Sequence, residues 1–217
     1  EGDLPVKAFM QAVMAAGYDG PISLEIFNDQ FRGSSTRQVA QDGYRSLVAL
    51  MDDVRRAEPS LDVDLPRIPA RVPSHGVSFI EFATRGDEAD KLEALLATLG
   101  FAPSGTHRNK AVSLWSQGGV RIVLNKETEG HAATAFNARG TTVCDIGLRV
   151  EDAQAVVDRA GALGIAPFSQ PIGPGEMDIP AIRGLSGSVL HFIDSGSGLD
   201  RVWEVEFDPI PGVDLAG

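Results

Sequence analysis

The sequence is short of basic charge, almost without cysteine, and has no long apolar run. Nineteen Lys and Arg stand against thirty Asp and Glu in 217 residues, a formal net charge of −11. A surface of that sign repels phosphate backbones, which argues against a nucleic-acid partner. No stretch approaches the roughly 20 apolar residues that cross a bilayer. The opening Glu1-Gly2-Asp3 has no basic segment leading into an apolar one, so no signal peptide is expected. The single cysteine, Cys144, cannot form an internal disulfide, and the chain reads as cytoplasmic. Its surroundings, Val143-Cys144-Asp145-Ile146, predict a packed strand position rather than a nucleophile. There is no Ser-His-Asp arrangement and no Cys/His zinc spacing. Gly173-Pro174-Gly175 is expected to be a turn and not a phosphate loop, because no helix opening on Lys-Ser or Lys-Thr follows it.

What the chain does have is a repeat. Leu99-Gly100-Phe101-Ala102-Pro103 returns as Leu163-Gly164-Ile165-Ala166-Pro167, an offset of 163 − 99 = 64. The same offset lays Arg85-Gly86-Asp87-Glu88 on Arg149-Val150-Glu151-Asp152, and Glu81 on Asp145. Hydrophobic periodicity predicts a strand at 77–83, a helix at 87–99 and strands at 101–106, 111–117 and 119–125. A second set follows: a strand at 142–149, a helix at 152–164 and strands at 166–169, 179–184 and 187–193. A short helix over 131–139 lies between them, and Gly118-Gly119 and Ser186-Gly187-Ser188 supply tight hairpins. The order is βαβββ twice. One copy cannot bury its apolar face alone, so two copies should form one cupped sheet with helices outside.

Upstream of the repeat, Phe9, Met10, Val13 and Met14 predict a helix over 4–16, and Leu47, Leu50, Met51 and Val54 a helix over 36–57. Between them Pro21–Phe27 reads as a short strand followed by a polar loop, 28–35. A lone strand leaves backbone groups unpaired on both edges. Residues 1–57 are therefore expected to be the tail of a larger α/β domain with a parallel sheet, and the chain a fragment. The prolines of 58–74 make a semi-rigid linker.

The repeat carries motifs of a known kind: Phe79-Ile80-Glu81-Phe82-Ala83, Leu99-Gly100-Phe101, His107-Arg108-Asn109-Lys110-Ala111-Val112, Gln117-Gly118-Gly119-Val120, Val123-Leu124-Asn125 and Arg149-Val150-Glu151-Asp152-Ala153. Together they resemble the vicinal-oxygen-chelate superfamily, and within it the N-terminal half of 4-hydroxyphenylpyruvate dioxygenase, over about residues 75–208. Gly17-Tyr18-Asp19-Gly20-Pro21-Ile22-Ser23-Leu24-Glu25-Ile26-Phe27 is similar to the last strand of a xylose-isomerase-like (β/α)8 barrel. The loop Asn28–Arg32 fits that family too. A barrel joined to such a region resembles the bacterial fused 3-dehydroshikimate dehydratases, which make protocatechuate in quinate and shikimate catabolism.

The resemblance implies an α+β fold: a tandem βαβββ domain at 75–208, preceded at 1–57 by the terminal βα unit of a (β/α)8 barrel, with a linker at 58–74 and a tail at 209–217. It implies a lyase in the intact protein, acting on a small aromatic or shikimate-pathway substrate, with a divalent metal (Mg, Mn or Co) in the barrel. Glu25 matches a metal ligand at the C-terminal end of the last strand, where barrel active sites lie. A carboxylate there would help a hard cation polarise the substrate's keto group. The acid and base would come from barrel strands outside this chain, which as a fragment is expected to be inactive.

In the repeat, the offset pairs Glu81 with Asp145, and His191 lies on the last strand. Two carboxylates and an imidazole suit a cation, but the histidines that the superfamily's metalloenzymes carry on the opening strands are absent, and the family's N-terminal half is metal-free. No metal is therefore expected in this domain. Three readings stay open for it: a dioxygenase-like part of the fused enzyme, a non-catalytic scaffold or small-molecule binding module, and a stand-alone dioxygenase-type metalloenzyme using Glu81, Asp145 and His191. An exposed cup is compatible with pairing into a homo-oligomer. His107–Lys110 is expected to be a solvated basic turn, His75 to mark only a strand entry, and Arg201, Trp203 and Glu206 to pack back on the domain.

Overall fold

The computed structural model describes residues 4–27, 33, 35–184 and 187–211. The loop Asn28–Arg32, the hairpin residue Ser186 and most of the 209–217 tail lie outside them. The chain divides into two compact units, one of Glu1–Pro69 with Ala162–Gly164, the other of Ala70–Gly161 with Ile165–Gly217. Among the described residues no helix is long and apolar enough to cross a membrane.

In the first unit, α1 (Val6–Ala15) and α2 (Thr36–Ala57) bury their apolar stripes against each other through Met10, Met14, Met51 and Val54, with Leu65 completing the cluster. Gly17, at φ 82°, ends α1 by returning its N–H to the Met14 carbonyl. Asp52 is fully buried. It accepts from Arg55 Nη2 at 2.6 Å, Arg56 Nε at 2.7 Å and the Ile68 N–H at 3.4 Å, so one carboxylate ties the end of α2 to the chain that follows.

The expected strand at 21–27 does not form. The segment has no ladder partner among the described residues, and Leu24, Ile26 and Phe27 are exposed. A parallel strand needs neighbours on its edges, and none of the described strands serves it.

The second unit is the βαβββ pair. Its elements are β1 (Ser74–Ala83), α3 (Gly86–Thr98), β2 (Ala102–His107), β3 (Val112–Gln117), β4 (Val120–Asn125), α4 (Gly130–Arg139), β5 (Thr142–Val150), α5 (Ala153–Ala162), β6 (Pro167–Phe168), β7 (Ala181–Arg183) and β8 (Val189–Ile193). A 3-10 turn, Leu199–Arg201, leads into α6 (Val202–Glu206) and β9 (Phe207–Pro209). The strands make one sheet in the order β6-β7-β8-β5-β1-β4-β3-β2-β9. Each half keeps its own four strands, and the halves meet where β1 runs antiparallel to β5.

Local chemistry explains the pieces. The two-residue turn Gly118-Gly119 joins β3 to β4, with Gly118 at φ 53°, in the left-handed region that such hairpins require. Side chains alternate across β1: Ile80 and Phe82 pack with Leu92 and Leu96 of α3 and with Trp115, Ile122 and Leu124. Phe79 and Glu81 face the other way, into the cup. On that side Phe79, Val112, Leu114, Val123, Trp203 and Phe207 belong to the main apolar cluster. The tandem fold read from the repeat is thus the fold observed.

Candidate functional site

The register of the central strands determines what lies on the floor of the cup. Glu81 of β1 sits directly opposite Asp145 of β5. These are the two residues that the 64-residue offset equates, so the pseudo-twofold axis of the pair passes between them. The register also equates Asn125 with His191, because Ala83 pairs with Asn125 as Gly147 pairs with His191. Each axial carboxylate is accordingly held by its own half's last strand. Asn125 Nδ2 donates to Glu81 Oε1 at 2.9 Å, and His191 Nδ1 lies 2.5 Å from Asp145 Oδ2. The halves have diverged at one floor position, an amide in one and an imidazole in the other.

The floor is electrostatically loaded. Burial and the nearby Asp145 charge push the Glu81 carboxyl up to about 7, against the pull of the Asn125 hydrogen bond. Burial lowers His191, but the hydrogen bond and charge of Asp145 outweigh it, and the imidazole ends above its ordinary value. Asp145 Oδ1 is buried with no hydrogen-bond partner among the described residues. Cys144 beside it is fully buried, and burial pushes its thiol up, out of reach of thiolate chemistry. The packed-strand expectation for Cys144 holds.

Phe79 lies across the floor over Gly147. A Cβ on Gly147 would come within 2.1 Å of the Phe79 ring, so glycine is required for that aromatic to sit there. Trp203 of α6 meets Phe79 edge-on at 5.5 Å between centroids, and Phe168 of β6 meets the His191 ring at 6.4 Å. The cavity is about 810 Å³, within the range of small-molecule sites.

His107–Lys110 is only in part the solvated turn expected. His107 is buried and lines the cup. Its Nδ1 accepts the Asn109 N–H at 3.1 Å, which leaves Nε2 to donate to Glu206 Oε2 at 3.2 Å. Lys110 Nζ reaches Glu176 Oε2 at 2.8 Å. Arg108 and Asn109 of this run are exposed, with Arg108 bonded to Asp208 at 3.1 Å. Glu206 also accepts the Met177 N–H at 2.7 Å. The terminal segment does pack back, bringing Val202, Trp203, Glu206 and Phe207 to the cup, while Arg201 stays exposed. His75 is the second residue of β1, at the strand entry as expected, and lies 3.0 Å from Glu151. The turn expected at 173–175 is present, with the Gly173 N–H bonded to Glu176.

Glu25 lies exposed in the unpaired 21–27 segment. No group of three His, Cys, Asp or Glu among the described residues is arranged to hold a metal ion. This corrects the reading of Glu81, Asp145 and His191 as a metalloenzyme's ligand set. The three are neighbours, but Asp145 spends one oxygen on His191, and Glu81 is drawn to Asn125.

A family model described as the N-terminal domain of hydroxyphenylpyruvate dioxygenase matches residues 70–208. The chain is 39% identical over 212 residues to a 3-dehydroshikimate dehydratase of Pseudomonas putida, a match covering 95% of this chain and 33% of that protein. It is 34% identical over 139 residues to a 4-hydroxyphenylpyruvate dioxygenase of Pseudomonas sp. strain P.J. 874, covering 64% of this chain and 38% of that one. Among solved structures it is similar to a xylose isomerase-like TIM barrel/4-hydroxyphenylpyruvate dioxygenase fusion protein. The TM-score is 0.84 at 37% identity, over 97% of this chain and 34% of that one. The chain therefore spans about a third of the length of the relatives that match both its units.

Proposed function

The chain belongs to the hydroxyphenylpyruvate dioxygenase N-terminal family, and from that premise we propose that it is the junction of a fused 3-dehydroshikimate dehydratase. Residues 1–57 are then the C-terminal end of a xylose-isomerase-like barrel, 58–74 the linker, 75–208 the dioxygenase-like domain and 209–217 its tail. The observation that carries this reading is a single likeness that runs through both units instead of stopping between them. The intact protein would be a cytoplasmic lyase acting on a small shikimate-pathway substrate.

On this reading Glu25 supplies one oxygen to a divalent metal in the barrel. A hard cation takes about six oxygens. Glu25 is one carboxylate, and the described residues offer no group of three that would hold such an ion. These residues alone do not fit a metal site, and the remaining ligands, with the acid and base, would lie on strands outside this chain. The unpaired 21–27 segment agrees with this. Its free edges and exposed Leu24, Ile26 and Phe27 are what a strand leaves bare when its neighbours are missing.

The test is Glu25→Ala in the intact protein, followed by protocatechuate formation from 3-dehydroshikimate. Activity should fall to background with the circular dichroism spectrum unchanged. Wild-type turnover would overturn the ligand role, and an open reading frame no longer than this chain would overturn the fusion.

For residues 75–208 by themselves, one observation favours a second reading. The cup holds a cavity of small-molecule size lined by aromatic side chains, which supports a small-molecule binding module.

A further inference from the structure

We propose that the cup of the second unit binds a small aromatic amine, its ammonium held by Asp145 and Glu81 and its ring lodged among Phe79, Phe168 and Trp203. This rests on reading 75–208 as a binding module and adds the chemistry of the ligand.

Three observations converge on it. The first is an unmet acceptor. Asp145 is 5% exposed, its Oδ2 is taken by His191, and its buried Oδ1 has no partner among the described residues. A carboxylate oxygen can only accept, so whatever completes it must bring an N–H or O–H. Glu81 faces Asp145 across the pseudo-twofold axis, and only its Oε1 accepts a side-chain hydrogen bond among the described residues.

The second is the balance of charge. Of the cup's Lys and Arg side chains, Lys110 is committed to Glu176, and Arg183 stacks on Phe168 with its Nη1 at His131. His107 donates to Glu206. Lys110, Arg183 and His107 are thus engaged within the protein and His191 turns its Nδ1 to Asp145, whereas Asp145 Oδ1 accepts no hydrogen bond among the described residues. A carboxylate ligand would meet the Asp145 charge with no uncommitted Lys or Arg in the described lining to balance it, whereas an ammonium would find an acceptor in Asp145 and a second in Glu81.

The third is the wall. Phe79, Trp203 and Phe168 supply aromatic surface around the floor, and ring faces attract a cation as well as an aromatic body.

The experiment is calorimetric titration of the 217-residue chain with three probes that share a phenol ring: tyramine, the neutral alcohol tyrosol, and 4-hydroxyphenylacetate. Tyramine should bind one to one, at least about tenfold more tightly than tyrosol, and 4-hydroxyphenylacetate should not bind. Asp145→Asn keeps the shape and removes the charge; it should weaken tyramine by at least about tenfold. Should that variant fail to fold, Phe168→Ala, on the two-residue strand β6 at the sheet edge, should weaken tyramine while tryptophan fluorescence reports a native domain. Tighter binding of 4-hydroxyphenylacetate than of tyramine would overturn the amine assignment and leave the binding module standing. No binding of any probe would overturn both. Undiminished tyramine binding by a folded Asp145→Asn would overturn the role of Asp145.

Discussion

Single residues set the chemistry of the cup floor, and two of them give sharp expectations. The folded state holds the Glu81 proton up to about pH 7, against an ordinary 4.5. Its contribution to stability is full below pH 4.5 and is lost as the pH rises toward 7. His191 is raised as well, so its contribution is present below 6.5 and disappears as the pH passes its folded value. Two carboxyls of the same unit act in the opposite direction. Burial would raise Glu176, but Lys110 and the Gly173 N–H hold it low; Asp194 is likewise held low by Ser197 and the Ala153 N–H. Their contributions are lost on acidification. The melting temperature of the second unit, read from Trp115 and Trp203, should therefore peak near pH 5 and fall steadily to pH 8, and Glu81→Gln should flatten the descent. Gly147→Ala belongs at the same scale. Its Cβ has no room beside the Phe79 ring, and the displaced aromatic should cost about 1–3 kcal/mol in urea unfolding.

At the scale of the element, α2 shows how one buried side chain fixes a boundary. Asp52→Ala removes the partner of Arg55 and Arg56 and the acceptor of the Ile68 N–H. The first unit should lose about 1–3 kcal/mol, followed by circular dichroism at 222 nm because the tryptophans report only on the other unit. The strand at 21–27 teaches the reverse lesson. Its pattern is that of a strand, yet pattern does not supply a neighbour, and hydrogen bonds to neighbours are what make a strand. The run His107–Lys110 was partly misread for a related reason. Four polar residues in a row look like a solvated turn, but β2 ends at His107, and its backbone alternation turns that imidazole inward, while β9 folds back beside β2 and covers it. Nothing local in the sequence announces β9, a strand of three residues.

For the whole molecule, the second unit carries its own sheet and core. The nine described strands lie between Ser74 and Pro209, as do the buried residues of the main apolar cluster and the lining of the cup. A chain of residues 70–217 should therefore fold with native tryptophan fluorescence and a cooperative melt. Loss of that melt would show that the first unit is needed for its stability. Leu114→Ala, at a fully buried position in this core, should cost about 2–5 kcal/mol.

The sequence by itself determined the duplication, the βαβββ order, the pairing of Glu81 with Asp145 and the packed cysteine. Each of these follows from periodicity or from the 64-residue offset, and both are properties of the chain read in order. It did not reveal that Asn125 and His191 are equivalent, because their separation, 191 − 125 = 66, departs from the offset by two residues. Nor did it reveal that His107, Glu176 and Glu206 meet. Those partners lie far apart along the chain and come together only through strand register and the closing of β9 onto β2. Burial, and the shifts in proton affinity that burial causes, belong to the space around a side chain, and that space exists only once the two halves have paired.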